Sequence, residues 1–376
     1  MKTERTSKLP LFYTHGIGSL PRPQAVRDLL ACRSEMSAAK YEGAMDDMVR
    51  FAIRLQEQAG IDVVSDGEWR RVQYVDEFLD RIGGFERIDR YEHQGEVKYR
   101  RVIVKRMEQP REPVFARDAQ FLRANTTRAT KFALPSPFLI AIRYWKAEYS
   151  AAAYPTYELF MEHLAEILSV EARALASAGI DIVQLDDPAL TYFCDHKLMH
   201  GEGTHDERLR RSWSIEQQFP LAVAGINRIV EGLQAEIHLH CCHSVYKRQS
   251  DVCGDYKPIL PRLKDARIDR VNLEFAYHQT GDISDLKHLP PHIGVGMGVV
   301  DVRTESPQSV EEIERLAAAG AEAIGPERIA LNPDCGFAPN SAEPPTIDEA
   351  YEKLKRLAEA AARLRRQFGA KQGVGL

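Results

Sequence analysis

Eight short runs rich in β-branched and aromatic residues recur along the 376-residue chain, and amphipathic segments of helical period stand between most of them. They begin at Leu11 (LFYTHGIG), Ile61 (IDVVSDGE), Ala129 (ATKFALPSP) and Ile180 (IDIVQLDDP), then at Glu236 (EIHLHCC), Arg270 (RVNLEF), His292 (HIGVGMGVV) and Arg328 (RIALNPDCG). Helical periodicity covers 40–60, 157–179, 214–233 and 309–320. Two of these segments close on the same phrase, AGID, at Ala59 and Ala178, where a glycine ends the helix and a strand starts at once. Eight strands alternating with helices fit a (β/α)8 TIM barrel better than a doubly wound sheet. The rhythm breaks at about 83–127, where alternation such as VKYRRVIV predicts a β-hairpin insertion after the second strand. A last amphipathic helix runs over 347–368, and the whole chain, 1–376, reads as one barrel domain.

Composition narrows the partners. A net charge of -5 and a pI near 6.2 give no reason to expect nucleic acid or an anionic membrane. No run of about 18 apolar residues is present, and the first residues lack the apolar core of a secretory leader, so a cytoplasmic location is expected. Reduced thiols follow for Cys32, Cys194, Cys241, Cys242, Cys253 and Cys335, with catalysis or metal binding a better use than crosslinking.

In a barrel of this kind chemistry is built at the C-terminal ends of the strands. Those ends carry His15 to Ser19, Asp66 to Glu68, Asp186 and Asp187, His240 to His243, Glu274, and Asp334 with Cys335. Carboxylates and thiols make poor core material when left unpaired, so their repetition at six strand ends marks an active site. Residues two apart on a strand share a face, which groups His240 with Cys242 and sends Cys241 the other way. His238 shares that parity but lies deeper and reads as a hydrogen-bonded core histidine. With Glu274 and Cys335 from neighbouring ends, the set becomes N, S, O and S, which suits tetrahedral Zn2+. A bridge between adjacent Cys241 and Cys242 would be strained and is disfavoured.

With these residues assembled, the chain resembles the cobalamin-independent methionine synthase family, in particular the short, single-barrel relatives of its C-terminal catalytic domain. The phrases that carry the resemblance are GIGSLPRP (16–23), SDGEWRR (65–71), QLDDPAL (184–190), HLHCCHS (238–244), NLEFA (272–276), GVGMGVVDV (294–302) and LNPDCGF (331–337). It implies one zinc bound by His240, Cys242, Glu274 and Cys335. It further implies that Glu68 and Asp186 are the catalytic-site carboxylates that meet the ammonium of a thiol amino acid such as homocysteine. Ser19 and the amides of the Gly18 loop would meet the carboxylate. Two carboxylates suit a cation, and a GxGS loop can offer free N–H groups to an anion. The implied reaction is methyl transfer to a metal-activated thiol, from a methylated tetrahydrofolate, forming methionine.

The sequence also departs from the longer enzymes. They carry a tryptophan that stacks on the folate, and the nearest candidate here, Trp145, is displaced by two positions. After the seventh run they carry a histidine proposed as proton donor, whereas this chain reads VDVRTESP with Asp301 and Arg303. Arg303 is therefore either a clamp for a substrate anion or a surface arginine, and His15 and His243 either support the site or pack strand ends. Other readings keep part of the pattern: an epoxyalkane:coenzyme M transferase would use the zinc-bound thiolate differently, and a uroporphyrinogen decarboxylase-like enzyme would need no zinc. The hairpin offers a surface on which a homo-oligomer could form.

Overall fold

The structure is a computed structural model that describes residues 3–73, 75–93, 96–199, 214–337 and 344–372. In chain order its strands are β1 (Val63–Val64), β2 (Phe85–His93), β3 (Glu96–Ile103), β4 (Ala129–Pro135), β5 (Ile182–Asp186) and β6 (Glu236–His240). They continue with β7 (Val245–Tyr246), β8 (Gln249–Ser250), β9 (Arg270–Glu274), β10 (Gly294–Val300) and β11 (Ile329–Pro333). Seven of them form one parallel sheet in the order β1-β4-β5-β6-β9-β10-β11.

The run at Leu11 does not make a strand of its own. Thr14 and His15 instead form isolated parallel bridges to Leu331 and Val63, and these join the two edges of the sheet. The His15 N–H donates to Leu331 O at 3.0 Å and the Val63 N–H to Thr14 O at 3.0 Å, so the ring closes through a segment too short to count as a strand. Gly16 and Gly18 follow immediately and end the extended backbone where the loop must turn over the barrel mouth. The expected TIM-type barrel is thus present, with seven strands and a bridging segment in place of eight full strands.

The outer layer contains helices Ala38–Gln58, Ala116–Ala124, Tyr157–Ser177, Ile215–Val230, Val310–Ile324 and Ile347–Gln372. Connections into β9 and β10 are only 3-10 turns, Leu260–Asp265 and Ile283–His288, in stretches punctuated by Pro258, Pro261 and Pro290. The expected hairpin is β2 paired antiparallel with β3. The glycines of both AGID phrases adopt left-handed backbone, φ 90° at Gly60 and 87° at Gly179, as a helix ending at that point requires.

Strand parity divides the buried side chains between two environments. Ile237, Leu239, Val271, Leu273, Val295 and Met297 face the helices and join the main apolar core. The lumen of the ring is different. A small apolar plug of Tyr13, Val63, Ala129, Ile182 and Ala330 fills one level. Next to it and beyond it lie Lys131, Gln184, Glu236, His238, Arg270 and Asn272, all buried. Gln184 and Asn272 bond each other across the intervening β6, which places both inside the ring. Glycines on β10 make the space: a Cβ at Gly296 would overlap the Asn272 and Asn332 side-chain oxygens, and one at Gly294 the Arg270 guanidinium.

The opposite end of the barrel is fastened by a device repeated three times. In the sequences GID, GID and RID, the aspartate before each strand accepts a backbone N–H from the neighbouring segment of the ring. Asp62 takes Thr14 N at 2.8 Å, Asp181 takes Thr130 N at 2.9 Å, and Asp269 takes Ile237 N at 2.8 Å. Asp181, 2% exposed, also accepts from Thr3, Arg5, Arg123 and the Thr130 hydroxyl. Asp181→Ala takes the acceptor from Arg123 and four further donors and is expected to cost about 3 kcal/mol, as breaking a buried ion pair does. Denaturant unfolding of the variant checks this; an unchanged midpoint would contradict the role given to Asp181.

Candidate active site

At the C-terminal mouth, three residues converge. One ring nitrogen of His240 and the Sγ atoms of Cys242 and Cys335 lie within 4.8 Å of one another, and among the described residues this is the one group with metal-ligand geometry. His240 closes β6, Cys242 follows it on the same parity, and Cys335 arrives two residues after β11. Cys241 points away into the apolar core, and all six cysteines are free thiols.

The His240 ring is fixed by one hydrogen bond. Its Nδ1 lies 3.0 Å from Asp186 Oδ1, the carboxylate directly across the β5–β6 register, and this leaves Nε2 buried without a hydrogen-bond partner. Burial alone would lower this imidazole, but the Cys242 sulfur and Asp186 overcome it and raise the group to about 10. The Cys242 thiol is pushed well down, first because Cys335 donates to its sulfur and then because His240 stands beside it; the Cys335 thiol is pushed up in turn. An unsatisfied imidazole nitrogen facing a buried thiolate and a second sulfur is a donor set that suits Zn2+, with the carboxylate behind the histidine orienting it.

Glu274, expected as the fourth ligand, is not in that group. Its side chain is fully buried, Oε2 lies 2.8 Å from Arg303 Nη2, and Oε1 accepts the His243 N–H at 3.1 Å. Arg303 is accordingly no surface residue: it is buried, stacked over Tyr277 at 4.6 Å, with Nη1 3.7 Å from Asp334 Oδ2. Its guanidinium faces two protein carboxylates: Nη2 bonds Glu274, while Nη1 and Nε are left without a hydrogen-bond partner among the described residues. Asp334 in turn accepts three consecutive N–H groups, from Phe275, Ala276 and Tyr277, at 3.1, 3.0 and 2.9 Å. His243 is also a supporting residue, with Nδ1 3.2 Å from the Tyr256 hydroxyl, which itself accepts the Glu274 N–H. His238 is the core histidine expected of it, bonded to Glu236 and Tyr13 and lowered to about 4 by burial.

A second set of side chains lies beside the first. Glu68 sits at φ 57° in the turn after β1, and its carboxylate rests against Gly18 so closely that a Cβ there would overlap Oε1. Burial, with Asp186 and Asp66 nearby, raises Glu68 to about 7, while Arg71 opposes at 4.0 Å. Ser19 is drawn in from the other side: its hydroxyl fills the space above Gly336, and Phe337 N–H donates to Ser19 O at 3.1 Å. Ser19 and Gly18 therefore stand between Glu68 and the Cys335 segment.

Sequence reasoning passed over Lys131. This buried lysine reaches His15 Nδ1 at 2.9 Å, Gln184 Oε1 at 2.7 Å and the Gly16 carbonyl, and burial lowers it to about 7 against the pull of Asp186 and Glu68. Gln184 turns its amide nitrogen to Ile17 O at 2.8 Å and Asp186 Oδ1 at 2.7 Å. A charged residue inside an otherwise apolar strand, KFALP, was the available signal. Trp145 donates to Tyr154 O, and Trp69 is buried against Phe51, so both serve packing. Asp187 accepts the Ser136 hydroxyl at 2.6 Å, next to the helix that Ser136 caps.

A parallel barrel with a His–Cys–Cys group, two members buried and Cys335 half-buried, and with carboxylates beside it at the C-terminal mouth defines the class of barrel enzymes whose site has metal-ligand geometry. The model of the cobalamin-independent synthase catalytic domain matches residues 12–363, and the chain belongs to that family. It is 29% identical over 367 residues to a methionine synthase of Pyrococcus horikoshii, covering 96% of this chain and 95% of that one. A methionine synthase of Saccharolobus solfataricus is 28% identical over 365 residues, covering 96% and 97%. Among solved structures, a B12-independent methionine synthase from Shewanella sp. W3-18-1 in complex with selenomethionine superposes with a TM-score of 0.76 at 24% identity, over 96% and 99% of the two chains. The putative vitamin-B12 independent methionine synthase of Listeria monocytogenes gives 0.70 at 21% identity, over 95% and 99%. Both likenesses concern the fold.

The Asp186–His240 contact yields a prediction. Asp186→Ala frees the imidazole to rotate and exchange tautomers, and metal affinity is expected to fall about 10- to 100-fold. Competition with a chromogenic chelator measures it, and unchanged retention would remove Asp186 from this role.

Proposed function

We propose that the protein is a zinc-dependent methyltransferase that methylates the thiol of homocysteine to form methionine, with a methylated tetrahydrofolate as donor. The observation that carries this reading is the unpartnered His240 Nε2 beside the sulfurs of Cys242 and Cys335 in a chain of this family. His240, Cys242 and Cys335 would hold the ion, with Glu274 at its edge. When bound, the zinc supplies Lewis acidity that keeps a thiol sulfur deprotonated near neutral pH, where a free thiol of pKa about 8.5 is mostly protonated.

The chain's own residues position the amino acid. Glu68 and the second oxygen of Asp186 offer an ammonium two carboxylates, and the Gly18–Ser19 amides with the Ser19 hydroxyl offer its carboxylate donors. Lys131 and Gln184 hold that loop from below through the Gly16 and Ile17 carbonyls. In the transfer the sulfur bonds the methyl carbon as the donor's nitrogen–carbon bond breaks, and the donor nitrogen takes up a proton. The two carboxylates also favour an amino-acid thiol over a sulfonate thiol, which brings an anion and no ammonium. The methionine synthases among the relatives, and the selenomethionine in the Shewanella structure, support the same substrate class.

Metal analysis tests the centre directly: about one zinc per chain is expected in the purified protein and far less after Cys335→Ser. Native protein that takes up no zinc would end this reading. Methyl transfer to homocysteine from methyltetrahydrofolate, S-methylmethionine and methylcobalamin then separates the donors, and activity with methylcobalamin alone would replace the folate.

A pH dependence follows from Glu68. Its carboxyl stands near 7 among Arg71, Arg22, Asp66, Asp186 and Lys131. It is ionised above that value and neutral below, so attraction for an ammonium is present above pH 7 and lost as pH falls through it. Methionine has no thiol to titrate and isolates the effect: its affinity should be about 5- to 10-fold weaker at pH 6 than at pH 8. The slope should vanish in Glu68→Gln, measured by calorimetry; an equal slope in that variant would assign the titration elsewhere.

A further inference from the structure

A cavity of about 260 Å3 lies beside the barrel, and none of His240, Cys242 and Cys335 lines it. Its walls come from helix Ala38–Gln58, the turn after β1, helix Asp76–Ile82 and the segment leading into helix Ala116–Ala124. Two polar side chains of this lining are buried with donors unspent. Among the described residues, Arg71, 1% exposed, finds no hydrogen-bond partner for Nε or Nη2, and Tyr41, 5% exposed, finds none for its hydroxyl. The remaining Arg71 nitrogen, Nη1, donates to Ala133 O at 3.0 Å and stands 4.0 Å from Glu68 Oε1. The guanidinium lies against Phe115 and Phe132, 4.5 and 4.4 Å from their ring centres, which restrains its plane. Three other arginines of the lining already have carboxylates. Arg33 is 3.7 Å from Glu77, Arg70 is 3.3 Å from both Glu42 and Asp118, and Arg117 is 2.7 Å from Glu42.

We propose that this cavity is a binding site for a small organic carboxylate, gripped by Arg71 through its Nε–Nη2 edge and by Tyr41 through its hydroxyl. Buried donors cost free energy until they are paired, and these two face the same space. Nε and Nη2 are the two donors of one guanidinium edge, a fork that matches the two oxygens of a carboxylate. Met45, Pro113 and Val114 offer an apolar wall for the carbon body of the ligand. Helix Ala116–Ala124 starts at the same wall with no side-chain cap, so its dipole also favours an anion. Charge selects the class. Five arginines and four carboxylates line the cavity, a balance that suits a monoanion and opposes a dianionic phosphate. The volume lies below the roughly 300–1,000 Å3 of pockets for drug-sized molecules, so the ligand is small. Arg81 and Glu112 of the lining are exposed, which leaves it a way in. Neither the metal nor the methyl transfer enters this assignment.

Calorimetric titration of the full-length protein with butyrate, at neutral pH and low salt, is the test. One site per chain is expected, with a Kd of about 1 mM. Butyramide, which has the shape without the charge, and inorganic phosphate should each bind about 10-fold more weakly or worse. Tyr41→Phe keeps the ring and deletes only the unpartnered hydroxyl. Its denaturation midpoint should not fall, while butyrate affinity drops about 3- to 10-fold. Ala116→Glu places an acid in the first turn of the helix, where it is favourable, and lets it occupy the Arg71 edge from within. Butyrate binding should then vanish with the fold intact. Arg71→Lys keeps the charge and loses the fork, and should weaken butyrate about 10-fold or more. Should Arg71→Lys not fold, the other two variants decide. Absence of butyrate binding to the native protein overturns the proposal, since water would then serve the free donors. So does phosphate binding as tight as butyrate, which would make the site one for phosphoryl groups. Butyrate affinity unchanged in both Tyr41→Phe and Ala116→Glu places the binding elsewhere and overturns it equally.

Discussion

The hydrogen bond between Asp186 and the His240 Nδ1 is the contact on which the arrangement of the mouth depends. It fixes which imidazole nitrogen faces the two sulfurs, and the same Asp186 oxygen accepts from Gln184. Gln184 also holds the Ile17 carbonyl, Lys131 and Asn272, so His240, through Asp186, and the loop at Gly16–Ser19 hang from one buried amide. Each member of such a network is expensive to bury alone and inexpensive once every polar atom has its partner. A disturbance at one of these residues therefore reaches both halves of the site.

That polar layer is possible because other parts of the molecule supply stability. The main apolar core lies between sheet and helices, and the aspartates before β1, β5 and β9 knit neighbouring strands at the end remote from the mouth. Stability sits on one end of the barrel and chemistry on the other, as the fold generally requires. The glycines of β10 mark the cost of placing amides and a guanidinium in the lumen, since those strand positions give up their side chains to admit Arg270 and Asn272.

Much of this was legible in the sequence. Strand–helix alternation gave the barrel, and parity alone separated His240 and Cys242 from Cys241. Three features were not legible, for physical reasons. The run at Leu11 has strand composition, but the glycines after His15 cut it to two bridges, and no local rule weighs that against closure of the ring. Lys131 escaped notice because attention to strand ends overlooks a charge lower in the strand, where only the folded lumen supplies its partners. Arg303 was ambiguous because its meaning lies in Glu274, 29 residues away, and in an Asp334 that backbone amides hold in place. Sequence identifies residues able to be ligands; it does not say which cation a carboxylate will choose.

That choice has an electrostatic logic. A carboxylate buried as deeply as Glu274 needs a cation beside it, and in a weakly screened interior the nearest one dominates. Arg303, 2.8 Å from Glu274 and 3.7 Å from Asp334, is that cation for both. The carboxylates of Glu68 and Asp186 are meanwhile set against Lys131 and Arg71. Cations of the protein thus stand against the carboxylates of the mouth, while His240 Nε2, beside the two sulfurs, is left buried without a hydrogen-bond partner.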